Sequence, residues 1–388
     1  MPTGRSFGSS RLHAVVRRAG GRRAGPCQNA RVAALTDTLR PAHGPLWRNR
    51  LALAPLTNTQ SNDDGTLSDD EHDWLVARGR GGFGLTVTCA AYVAPEGRAW
   101  RGQLGIASDE HLPGLTRLAE SLRATGTRSA VQLHHAGMRA DAALNGVPNV
   151  APWDEPRKEA VALTPEGVDR VIAAFVDAAV RAERAGFDGV QVHGAHGYLL
   201  AQFLDGRSNH RTDGYGGSLE DRMRVLHEVL AGIRAATGPD FQVGLRLTPE
   251  GYGVTVAEAR ETARSLLATG LLDFLDMSLW DVTMRPRDTT VDGRLVEHFT
   301  DLPRHGALLG VAGGVTSAEE ARWCLEQGAD FVTVGIGAIL HHDFAARSLA
   351  DPGFRARERP VPAADLRAEH VGPVFIDYLA AGWDDLIA

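Results

Sequence analysis

Eight short apolar runs of β type, separated by amphipathic stretches or long loops, constrain this chain more than any other feature. They lie at residues 51–56, 85–89, 130–133, 189–193, 242–247, 274–277, 307–312 and 331–334. Between them, residues 166–185, 219–236, 256–268 and 318–327 carry apolar side chains at helical spacing. Repeated alternation of strand and helix implies parallel strands joined by crossovers, and eight such units suffice to close a (β/α)8 TIM barrel. A doubly wound sheet shares the alternation, but it normally carries a Gly-x-Gly-x-x-Gly turn after an early strand, and none follows residue 56. The expected fold is therefore α/β: a TIM barrel forming one domain over residues 35–388, with a C-terminal helical tail.

The chain has 388 residues, ample for one barrel with insertions. Residues 1–34 are rich in Arg and Gly and precede the first acidic residue, Asp37; lacking apolar periodicity, they are expected to form a disordered extension. The net charge of −7, with no basic face beyond that extension, gives no reason to expect nucleic acid as a partner. Cys27, Cys89 and Cys324 are far apart and form no metal or iron–sulfur spacing, which fits a reducing cytoplasm. No apolar run is long enough to cross a bilayer.

Candidate chemistry begins just past the fourth run, at His193-Gly194-Ala195-His196-Gly197-Tyr198. If that run is a barrel strand, two imidazoles and a phenol face the pocket at its C-terminal end, where barrel active sites are assembled. A phenol with an ordinary pKa of about 10 can act as a general acid, and paired imidazoles can donate to a carbonyl oxygen that is becoming negative. Such a unit suits reduction of an activated carbon–carbon double bond. The same spacing also admits two metal ligands. Segments 138–165 and 204–218 are long enough to cover the same mouth.

Several segments together resemble the old yellow enzyme family of FMN-dependent ene-reductases, from residue 35 to the C-terminus. They are Asn49-Arg50 followed by Ala54-Pro55-Leu56-Thr57, Gln132-Leu133-His134, the segment from His193 to Tyr198, Gly244-Leu245-Arg246-Leu247, and above all Arg211-Thr212-Asp213-Gly214-Tyr215-Gly216-Gly217-Ser218. The resemblance implies FMN as cofactor and NADH or NADPH as reductant. It assigns Tyr198 as proton donor and His193 and His196 as carbonyl-binding residues. The backbone of Pro55, Leu56 and Ala90 would pass close to the flavin ring, and Thr57 would hydrogen-bond its O4. The pyrimidine edge of a flavin offers carbonyl acceptors and a ring N–H, needs met by the amide of Gln132 and the cation of Arg246. A phosphate is served by backbone amides after the seventh and eighth strands, where Gly313-Gly314 and Gly335-Ile336 lie.

Two departures from the family pattern stand out. Relatives usually place Arg directly after the glycine matching Gly335, where this chain has Ile336; losing a charge-assisted contact costs about 1.5–3 kcal/mol unless another cation replaces it. The third-strand motif ends Gly137-Met138-Arg139 rather than in Gly-Arg, so a one-residue shift is needed for Arg139 to reach the pocket. The reading is a cytoplasmic NAD(P)H-dependent ene-reductase acting by ping-pong hydride transfer, with an electron-poor alkene and a nicotinamide as partners. Association into a homo-oligomer is left open. The alternatives are a flavoenzyme that oxidises, demethylates or isomerises a pathway substrate, a metal-dependent hydrolase built on His193 and His196, and an inactive binding protein.

Overall fold

The computed structural model describes residues 33–383 and 385–388. Of the extension expected at residues 1–34, all but Ala33 and Ala34 lies outside the described residues, as does Cys27. Eight parallel strands close a barrel: β1 (Leu51–Leu53), β2 (Leu85–Tyr92), β3 (Arg128–His134), β4 (Gly189–Gly194), β5 (Gln242–Leu247), β6 (Phe274–Ser278), β7 (Leu308–Ala312) and β8 (Phe331–Val334). Every apolar run becomes a strand, 242–247 and 331–334 with the expected ends and the other six with shifted ones. β1 stops at Leu53 because Pro55 has no N–H to donate, although Ala54 N still donates to Val334 O at 3.0 Å. β2 runs on to Tyr92 through an irregularity between Val87 and Ala90.

The four expected helices form as Pro165–Ala185, Leu219–Ala236, Val256–Ala268 and Ala318–Glu326. Each begins at a Ser or Thr whose hydroxyl accepts from a first-turn amide: Thr164 from Gly167, Ser218 from Asp221, Thr255 from Glu258 and Ser317 from Glu320. Such caps satisfy amides that a helix start leaves unpaired, so they fix where each crossover begins and how β-ends are aimed.

The N-terminal end of the barrel is filled by Trp47, Phe274 and Phe331, whose rings meet edge to face with centroids 5.1–6.2 Å apart. Trp47 is fully buried and its indole N–H donates to Gln242 Oε1 at 2.9 Å. The plug depends on two glycines. A Cβ at Gly244 would lie 2.1 Å from the Phe274 ring, and one at Gly310 2.2 Å from Phe331. At the other end, the segment after β3 forms a two-stranded sheet, Asn149–Ala151 with Ala160–Ala162. Arg211 pins it: its Nη1 donates to Pro152 O and Leu163 O at 2.9 and 2.6 Å, while the same guanidinium pairs with Asp213. The most distinctive family segment thus serves architecture, joining the two long insertions.

Candidate active site

Register sets polar side chains in rows inside the barrel. Gln132 on β3 pairs with Gln191 on β4, and one layer up His193 on β4 pairs with Arg246 on β5, which pairs with Asp276 on β6. Side chains alternate along a strand, so the apolar neighbours Val190, Val192, Leu245, Leu247, Leu275 and Met277 turn outward to pack under the helices. The inward residues form a chain: Gln132 Nε2 donates to Gln191 Oε1 at 2.8 Å, and Gln191 Nε2 to Asp276 Oδ2 at 3.5 Å. Arg246 Nη1 lies 3.1 Å from Asp276 Oδ2, an ion pair by distance; its angle is poor for a hydrogen bond, and Nε and Nη1 of Arg246 have no hydrogen-bond partner. Arg246 is therefore both ion-paired and only partly satisfied.

Above these rows, two adjoining cavities of about 310 and 330 Å³ open at the C-terminal ends of the strands. Pro55, Leu56, Arg246, Ser278 and Trp383 line both. The first cavity brings together Thr57, Ala90, Gln132, His193, His196 and Tyr198; the second brings Gly313, Gly314, Gly335 and Ile336. Every sequence-derived site residue thus faces one or the other. Arg139 also reaches the first cavity despite its shift, with its guanidinium carbon 4.5 Å from the Tyr198 ring centre and Nη1 donating to His196 O.

The turn after β4 holds the imidazoles in a fixed relation. His196 adopts φ +59°, the left-handed region that non-glycine residues seldom enter, and its amide donates to Thr248 Oγ1 at 2.8 Å. His193 Nδ1 accepts from Ala195 N at 3.3 Å, so the ring proton sits on Nε2, which faces His196 Nδ1 at 3.2 Å. The proton of His196 then lies on Nε2, 2.9 Å from Ser278 Oγ, a hydroxyl that also accepts from Arg246 Nη2 at 3.2 Å. Burial, and after it for His193 the neighbouring His196, keeps both rings neutral: His193 is held well below the usual histidine range and His196 is lowered to about 3. Each therefore offers one N–H rather than a full charge. Tyr198 packs edge-on to His134, with centroids 4.4 Å apart. Burial raises its pKa against the opposing pull of Arg139, so the phenol stays protonated.

Some of the wall was not anticipated from sequence. Phe375, Tyr378 and Leu379 of the helix Pro373–Gly382, with Trp383 beyond it, line the first cavity beside Thr57. Their i, i+3, i+4 spacing was the available signal. Gln191, Asp276 and Ser278 were missed too; the signal was a polar residue at the inward phase of an apolar strand.

The residues present fit FMN. The pyrimidine edge calls for a buried amide and cation, and Gln132 and Arg246 supply them, with Arg246 Nε unpartnered. The phosphate end calls for bare backbone and hydroxyls. A Cβ on Gly335 would approach Leu56 at 3.4 Å on the cavity wall, and the buried Thr333 Oγ1 has no partner there.

Comparison with known proteins agrees. The model of the NADH:flavin oxidoreductase / NADH oxidase family matches residues 45–348. The chain is 36% identical over 306 residues to a probable NADH-dependent flavin oxidoreductase, YqiG, of Bacillus subtilis (strain 168), covering 75% of this chain and 81% of that one. It is 38% identical over 303 residues to an NADPH dehydrogenase of Bacillus pumilus (strain SAFR-032), covering 75% and 87%. Among solved structures, morphinone reductase in complex with tetrahydroNAD superposes with a TM-score of 0.73 at 28% identity, covering 86% of this chain and 94% of that one. Among the described residues no helix is long and apolar enough to cross a membrane. The barrel, the cavity pair and these matches place the chain in the NADH:flavin oxidoreductase / NADH oxidase family, the old yellow enzyme family, as an FMN-dependent oxidoreductase that takes its electrons from NADH or NADPH.

Proposed function

We propose that the enzyme reduces electron-poor alkenes, chiefly α,β-unsaturated carbonyl compounds, in a ping-pong cycle in which the nicotinamide and the alkene use the same cavity in turn. The observation that carries this reading is the convergence of His193, His196 and Tyr198 on the cavity that Gln132 and Arg246 floor. The chemistry supplied by bound FMN is two-electron carriage as hydride, from the nicotinamide to the second substrate.

The chain's own residues do the rest. A substrate carbonyl oxygen at the imidazoles takes N–H donors from His193 Nε2 and His196 Nε2, exchanging the bonds those atoms make to His196 Nδ1 and Ser278 Oγ. One hydrogen bond replaces another, so the exchange costs little, while the donors gain strength as charge develops on the oxygen. Tyr198 delivers a proton to the α-carbon and hydride enters at the β-carbon, so the net change is the addition of two hydrogens across the double bond. Arg139, over the Tyr198 ring, stabilises phenolate character as that proton leaves. The Phe375 and Tyr378 wall excludes water from the reacting face.

An anaerobic titration tests the proposal. Addition of NADH or NADPH bleaches the flavin band, and a cyclic enone restores it with stoichiometric formation of the saturated ketone. Bleaching without reoxidation across enones, maleimides and nitroalkenes removes ene-reduction and leaves only the family-level activity.

A further inference from the structure

The second cavity poses a question that Ile336 makes acute: where the phosphate of FMN finds a cation. Ile336 is buried in the core and brings no charge. Two cations line this cavity, Arg246 and Arg359. Arg246 sits where the two cavities meet, ion-paired with Asp276 at 3.1 Å and bonded to Ser278, so it is committed to the ring end. Arg359 comes from the segment after the barrel and lines only the second cavity. The wall it shares includes bare backbone at Gly313, Gly314 and Gly335, and Thr333, whose buried hydroxyl has no partner.

The geometry points to Arg359 as the residue that binds the FMN phosphate, supplying from the C-terminal segment the charge that Ile336 does not. The only ion pair it makes among the described residues is with Asp385, Nη1 to Oδ2 at 2.9 Å. Asp385 is 68% exposed and Arg359 36%, so that pair is worth little and does not hold the guanidinium against a dianion. A planar guanidinium can meet a phosphate through two parallel N–H donors. Asp385 opposes this, both by competing for Arg359 and by repelling the phosphate.

Comparing FMN with riboflavin, which lacks the phosphate, isolates the claim. Full-length protein freed of flavin is titrated with each while flavin fluorescence is followed. Arg359→Met is expected to weaken FMN binding roughly ten- to hundredfold, the range for a charge-assisted contact, with riboflavin affinity unchanged. Arg359→Met with Ile336→Arg is expected to recover most of the loss. Equal weakening of both flavins, or of neither, overturns the assignment. Asp385→Asn provides an independent reading should Arg359→Met not fold: FMN affinity rises and its dependence on salt steepens, with riboflavin unaffected. No rise for FMN overturns the assignment as well.

Discussion

The two ends of the barrel are built from the same eight strands yet solve opposite problems. The floor is an aromatic plug in which Trp47, Phe274 and Phe331 interlock edge to face and two glycines make the room. Its buried carboxylate is well satisfied: Asp273 accepts from Arg234 at 2.7 Å, His43 N at 2.7 Å and Val243 N at 2.7 Å. The mouth is looser. Thr59, His196, Tyr252 and Trp280 adopt left-handed φ just past the ends of β1, β4, β5 and β6, and buried polar atoms on His134, Arg246, Asp276 and Thr333 have no partner. Strain and unmet hydrogen bonds are unfavourable for stability; some occur at the floor too, at His305 and on Nε of Arg50 and Arg234, but those that line the cavities mark where binding energy is to be recovered. One end specifies the fold and the other is shaped for ligand.

The largest expected effect breaks the floor. Trp47→Ala removes a fully buried ring and strands Gln242 Oε1, which is expected to cost about 3–5 kcal/mol of stability. The folded fraction should still be reduced by NAD(P)H at an unchanged rate. Urea unfolding read beside single-turnover flavin reduction checks both halves, and a comparable fall in reduction rate would show that the ends are not independent.

Next in size is a substitution at the mouth. Tyr198→Phe deletes one hydroxyl from a ring that packs against His134 and His193, so stability should change by less than about 1 kcal/mol. Reoxidation by a weakly activated enone should slow by at least roughly a hundredfold, the lower range for a lost general acid, while reduction by NAD(P)H is preserved. Stopped-flow measurement of the two half-reactions separates them. Wild-type enone reduction by the variant removes Tyr198 as proton donor.

The contrast between the ends also governs what could be read from sequence. Strand positions were legible because each run is of strand length and β-type composition and is set off by a helical pattern or a long loop. Tyr198, His193 and His196 were legible because they fall within six residues at the end of one strand. Asp276 was hidden between Leu275 and Met277, since nothing local says that its strand phase faces Arg246 across the barrel. Tyr378 and Arg359 were hidden for another reason: they come from the segment beyond the barrel, and only tertiary packing carries them to the cavities. The Arg211 segment was the most recognisable by family, yet its role in tying the insertions needed the contacts to Pro152 and Leu163.

A third test uses pH. His134 and His193 are held well below the usual histidine range, His135 is lowered to about 4 and His196 to about 3, in each case mainly by burial. The unfolded chain binds a proton at each near pH 6.5, whereas the folded chain does not. Stability contributed by keeping these rings neutral is thus complete above about pH 6.5 and is lost as pH falls toward their folded values, by up to about 1.4 kcal/mol per pH unit for each histidine. The denaturation midpoint should drop between pH 7 and 5, while the rate of alkene reduction shows no limb near 6.5. A flat midpoint, or an activity limb at that pH, would mean that the mouth is more solvated than its packing indicates.

The smallest expected effect concerns the pair that links the catalytic rows to the ring end of the cavity. Asp276 faces Arg246 at 3.1 Å in a fully buried position, with Oδ1 left unpaired, so its charge offsets much of the cation's field. Asp276→Asn keeps the size and the contact to Gln191 but removes that offset. Arg246 then acts as a fuller positive charge beside the pyrimidine edge, where negative charge gathers when the flavin accepts electrons. The reduction potential of bound FMN should therefore rise, by on the order of 30 mV if the change is worth about 1.4 kcal/mol in a two-electron couple. The same substitution at the floor, Asp273→Asn, lies at the opposite end of the strand from the ring cavity and should lower stability without moving the potential. Potentiometric titration of the two variants decides the matter: equal shifts would show that the barrel transmits charge from either end, and no shift for Asp276→Asn would show that Arg246 does not set the potential.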